Sequence, residues 1–151
     1  MADDLIALER WAEPLLQRIA AGERTALARK IGTALRRSQH DRIQSQRNPD
    51  GSAFVPRKRA RDKVGKIKRK AGNMFQRISR SEYLRIQASE NGVSVGFTGR
   101  IARIAGIHQR GDTDRVSQNG PSVRYPMREL LGLTSSDRQM IREMLIDHLG
   151  A

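Results

Sequence analysis

Cysteine is absent from the 151-residue chain, which excludes a disulfide framework, a thiol nucleophile and cysteine-ligated zinc. Long apolar runs are absent too, since none approaches the roughly 20 residues needed to span a bilayer. Acidic residues are outnumbered, with 16 Asp and Glu against 29 Lys and Arg, for a formal charge of +13. The opening Met1-Ala2-Asp3-Asp4 is acidic and runs into an amphipathic stretch, unlike a secretory signal. These absences predict a soluble protein of a reducing compartment, with no membrane partner. The length suits one domain over 1–151, and 37% hydrophobic against 30% charged residues is apolar enough for a core.

The charge is unevenly placed. Residues 1–55 carry a net +2 and residues 81–151 a net +1, whereas residues 56–80 hold 11 basic side chains and only Asp62. The dense part is Arg57, Lys58, Arg59, Arg61, Lys63, Lys66, Lys68, Arg69 and Lys70. Such a block repels itself and favours a polyanion or an acidic protein surface. Gly65 and Gly72 punctuate it, while Val64, Ile67 and Ala71 give it a weak helical stripe. It reads as a basic arm or loop at about 56–72 that turns partly helical on binding.

Leu5, Leu8, Trp11, Leu15 and Ile19 recur at helical spacing over 3–20, with Pro14 expected to kink or divide that helix. Leu27, Ile31, Leu35 and Ile43 mark a second helix over 23–46, stopped by Asn48-Pro49-Asp50-Gly51. Asn91-Gly92 predicts a type I′ hairpin within 83–97, in which residue 86 faces 97 and residue 88 faces 95. Ile101, Ile104, Ala105 and His108 suggest a short helix ending at Gly111. Residues 112–126 are polar and turn-rich, an extended flap. Thr134 or Ser135 caps a last helix over 136–149, with a stripe of Met140, Ile141, Met144, Leu145 and His148. The sum is an α+β domain: two N-terminal helices, a small antiparallel sheet, a C-terminal helix packed on that sheet, and the basic arm.

No spacing assembles a nucleophile, a base and an orienting group, so the chain does not read as an enzyme and no cofactor is expected. His108 and His148 sit on apolar stripes and read as structural. Asp112-x-Asp114 reads as a solvated turn and not a metal site, and Gly96-x-x-Gly99 lacks the context of a nucleic-acid clamp. The arm has no interleaved aromatics for base stacking; Phe75 and Tyr83 are the nearest. Composition alone leaves two readings open for it: neutralising phosphates without reading bases, or docking on an acidic protein.

Three motifs carry a family resemblance. They are Arg47-Asn48-Pro49-Asp50-Gly51 after the long helix, Gly99-Arg100-Ile101-Ala102-Arg103-Ile104 with His108-Gln109-x-Gly111, and Tyr125-Pro126-Met127-Arg128-Glu129-Leu130-Leu131-Gly132-Leu133-Thr134 before the last helix. In this order they resemble the phage virion morphogenesis family, the tail-completion protein S group. Phe54 stands where that family usually has Trp. The resemblance implies a structural virion protein that completes the tail and joins it to the head at the neck. By analogy with neck and tail-terminator proteins it implies a ring of copies, sixfold, touching the tail tube and head-completion proteins. DNA passing through the neck is a further contact for the arm. The location implied is the virion tail, with assembly in the host cytoplasm.

Overall fold

The computed structural model describes residues 2–58, 64–66 and 72–150. The long helix α2 (Ala21–Gln44) is the spine against which the first hairpin and the C-terminal helix lie. Its inward line, Leu27, Ala28, Ile31, Gly32, Gln39 and Ile43, follows the helical repeat and is buried throughout. Helix α1 (Ala2–Leu16) precedes it, and Pro14 falls in the last turn of α1. The proline therefore ends the helix instead of kinking it midway.

Helix α4 (Ser135–Gly150) packs on α1 and α2. Leu8, Ala12, Ile19, Leu27, Ile31, Ile141 and Leu145 form one apolar cluster, which Val93 of the adjacent hairpin helps to close. Contact is narrow on the α1 side. Leu5 and Trp11, expected on the inward stripe, are 43% and 39% exposed, because α1 rests on the core only along the Leu8–Ala12 line. Ile104 is likewise 41% exposed.

Strands β1 (Leu84–Ser89) and β2 (Gly92–Phe97) form the expected antiparallel hairpin, packed against α2. Its register differs from the type I′ expectation by two residues. Leu84 faces Phe97, Ile86 faces Val95 and Ala88 faces Val93, so Glu90-Asn91 make the turn and Gly92 is a paired strand residue. A slip of two keeps every side chain on its predicted face. It also sets three apolar pairs directly opposite each other, and this outweighs the turn preference of Asn-Gly. The close approach of α2 needs Gly32, where a Cβ would lie 2.5 Å from Cγ2 of Ile86 and 2.8 Å from Cγ2 of Val93.

Helix α3 (Gly99–Arg110) follows and is closed by Gly111 at φ 67°, with the Asp112 N–H reaching the Ile107 carbonyl. The expected flap is a second small hairpin, β3 (Thr113–Arg115) paired with β4 (Ser122–Arg124). A second cluster, Ile43, Phe54, Met74, Ala105 and Leu130, forms the core beneath the C-terminal end of α2.

Candidate partner-binding arm and its anchorage

Both ends of the basic arm are fastened at the C-terminal end of α2. That helix closes with a Schellman motif: the Gln46 N–H bonds the Ile43 carbonyl at 2.9 Å and the Arg47 N–H bonds the Arg42 carbonyl at 3.3 Å. The left-handed position usually given to glycine holds Gln46, at φ 58°. Its backbone carbonyl accepts from the Phe54 N–H at 2.7 Å, on the outgoing side of the arm. Its side chain brackets the returning side: Oε1 accepts from the Met74 N–H at 2.7 Å and Nε2 donates to the Met74 carbonyl at 2.8 Å.

On the outgoing side, Asn48-Pro49-Asp50-Gly51 folds back so that Arg47 and Ala53 form a bridge. Asp50 accepts from the Ser52 hydroxyl and N–H, and these bonds hold its carboxyl below the usual range. Phe54 is then buried edge-on against Phe75, with ring centres 5.9 Å apart. Phe75 contacts His108 at 4.8 Å, and His108 contacts Tyr125 at 5.0 Å, so four rings run under the root of the arm.

Arg128 locks the next two residues. Only 4% exposed, it donates from Nε to the Val55 carbonyl at 2.7 Å and from Nη2 to the Pro56 carbonyl at 3.3 Å. Burial, reinforced by the charges of Arg128 and Arg57, pushes the His108 pKa down to about 4. His108 is therefore neutral at pH 7, leaving one ring nitrogen able to accept from Arg128, whose Nη1 lies 3.4 Å from Nδ1.

The same logic fixes the irregular segment 125–134. Asn48 Oδ1 accepts from the Glu129 N–H at 2.9 Å. Arg42 Nη1 and Nη2 donate to the carbonyls of Glu129 and Leu130 at 3.0 and 2.8 Å. Burial pulls the Arg42 pKa down, opposed by the nearby Asp137 and Glu129. Gln109 brackets Leu131 with both amide atoms, at 2.8 and 2.9 Å. Gln39 Oε1 accepts from the Gly132 N–H at 3.1 Å. Thr134 then caps α4 in a reciprocal box: its hydroxyl accepts from the Asp137 N–H and Asp137 Oδ2 accepts from the Thr134 N–H, both at 3.0 Å. Asp137, 2% exposed, also accepts from the hydroxyl of Ser38. The three sequence motifs thus meet in one hydrogen-bonded framework. Their polar residues hold backbone in place.

Of the predicted arm cations, Arg57, Lys58 and Lys66 are exposed, whereas Arg59, Arg61, Lys63, Lys68, Arg69 and Lys70 lie outside the described residues. Burial lowers the Arg128 pKa, and Arg57 stands near enough to Arg128 and His108 to add to the lowering of both. Asp112 and Asp114 pair with Arg110 and Arg103, each at 2.8 Å. Among the described residues no three His, Asp or Glu gather as a metal site, and no helix is long and apolar enough to cross a membrane. Asn48 and Gln109 belong to motifs visible in the sequence, but Gln39 and Gln46 carry no local signal of their role. Only the folded chain brings the backbone groups they serve to them.

Residues 3–150 match the phage virion morphogenesis family. The chain is 36% identical over 138 residues to tail completion protein S of Escherichia phage P2, covering 89% of this chain and 90% of that protein. No solved structure matches. This match spans nearly the whole chain: the chain belongs to the phage virion morphogenesis family, whose members serve virion assembly as structural proteins.

Proposed function

We propose that this protein completes the phage tail and enables the head to join it, acting as a ring of copies at the head-proximal end. The observation that carries this reading is the near full-length similarity to a protein named for tail completion. The arm supports it physically. Residues 56–80 hold a net +10, and the chain on either side of the arm is fastened by Gln46 and Arg128, so a strongly cationic segment begins and ends on a fixed base. Protein docking suits the arm better than DNA binding, because tight binding in the neck would impede DNA exit. The protein assembles in the host cytoplasm and ends in the virion tail.

Electron microscopy of particles made without this protein tests the reading. Free heads beside tails that are overlong or unable to join are expected; normal infectious particles overturn it. The high charge of the arm also favours a second reading, nonspecific nucleic-acid binding. That reading requires DNA affinity that falls steeply with salt, and a flat salt response dismisses it.

A further inference from the structure

Helix α1 and the first hairpin face each other across an open cleft of about 860 Å³. One wall is the face of α1 on which Leu5, Leu8, Ala12 and Leu16 recur at helical spacing. The other is β2, whose only strand partner among the described residues is β1. Leu27 and Ile31 of α2 form the floor. Leu16, Leu35, Val93 and Leu133 pack on the buried cluster here but are themselves only half-buried, so the core is left open on this side.

The rim of this cleft is acidic, in a chain of formal charge +13. Glu9 and Glu13 are exposed on the α1 wall and Glu90 is exposed at the tip of the hairpin, against one cation, Arg24. None of these three carboxylates pairs with a cation among the described residues, whose ion pairs are Arg103–Asp114, Arg110–Asp112 and Arg138–Asp4. Glu9 and Glu13, four apart on one helix, repel each other. An apolar floor beneath an unneutralised acidic rim suits a cationic segment that carries a few apolar side chains.

We infer that the cleft receives the basic arm of a second copy. Residues 56–80 carry a net +10, and Val64 and Ile67 are the large apolar side chains within the densest part of that charge. Val64 is 84% exposed and lines no part of the cleft of its own copy. In a neighbouring copy's cleft these two side chains cover the open core, while the lysines and arginines around them meet Glu9, Glu13 and Glu90. Arm and cleft are unlike surfaces, so the contact runs head to tail, and such contacts close into rings when the rotation permits. The inference rests on the ring reading above and names the partner of the arm in that ring.

Sedimentation velocity at low salt tests it. The wild-type chain should self-associate as its concentration rises, and salt should weaken the association. E9Q/E13Q/E90Q in the cleft and V64S/I67S in the arm should each weaken it by at least about tenfold while keeping the wild-type circular dichroism. E82Q/E143Q/D147N removes exposed carboxylates outside the cleft and should associate like the wild type. Mixing the cleft variant with the arm variant is decisive. The first keeps its arm and the second keeps its cleft, so the mixture should form one-to-one dimers that grow no further. A wild type that stays monomeric at every concentration overturns the inference. So does a cleft or arm variant that associates like the wild type, an E82Q/E143Q/D147N variant as weak as the cleft variant, or a mixture that stays monomeric or grows beyond dimers. Those outcomes leave the tail assignment standing, since that fails only if particles lacking the protein are normal.

Discussion

The side-chain amide of Gln46 pairs with both backbone polar groups of Met74, at 2.7 and 2.8 Å, as a neighbouring strand would. The same residue sits at positive φ and receives the Phe54 N–H on its own carbonyl. One glutamine therefore joins the helix end to Phe54 on one side of the arm and to Met74, 28 residues on in sequence, on the other. Backbone strain of this kind persists only where surrounding contacts enforce it.

Gln46→Ala should cost about 2 kcal/mol, because it strands the buried N–H and carbonyl of Met74. Gln46→Gly loses the same bonds but relieves the left-handed backbone, and should recover about 1 kcal/mol of that loss. Urea unfolding of the two variants measures both terms. Equal stabilities would show that the backbone position of Gln46 carries no strain.

The cap of α4 separates in the same way. Thr134→Ala should cost about 1 kcal/mol, the usual value of an N-cap. Asp137→Ala should cost more, about 2–3 kcal/mol, since it removes the acceptor for the Thr134 N–H and for Ser38 within a buried site. Thermal unfolding of both variants checks the order.

Gly32 is set by packing, because Cγ2 of Ile86 would stand 2.5 Å from an added methyl. Gly32→Ala should destabilise the protein by about 1–3 kcal/mol despite the better helix propensity of alanine. Adding Ile86→Ala should make the glycine replacement less costly than it is alone. Additive losses would place the strain elsewhere.

His108 supplies a pH dependence of known sign. Its pKa is depressed from 6.5 to about 4, so between these values the unfolded chain binds the proton and the folded chain does not. Its contribution is complete above pH 6.5 and is lost progressively as the pH falls to about 4. Stability measured across this window should fall less steeply for His108→Gln than for the wild type. Parallel curves would mean that His108 titrates alike in both states.

The helices, the core face of the hairpin and the polarity of the arm are legible in local patterns of two, three and four residues. The hairpin register is not, because Asn91-Gly92 promises one turn while the apolar pair Leu84–Phe97 rewards another, and tertiary packing decides. Trp11 looks like core on spacing alone, but exposure depends on how α1 is seated against the core and α4, which spacing does not encode. The anchoring of the arm is equally hidden. Gln39 and Gln46 serve backbone groups 93 and 28 residues away, contacts that exist only after the chain has folded.

The central claim is that a rigid base presents the cationic arm to a protein partner during tail assembly. Replacing Arg57, Lys58, Arg59, Lys68, Arg69 and Lys70 by Ser, then counting joined particles by electron microscopy, tests it most directly. The account predicts a folded protein with the wild-type thermal midpoint and an accumulation of free heads and unjoined tails. Normal yields of infectious particles from the same variant would contradict it.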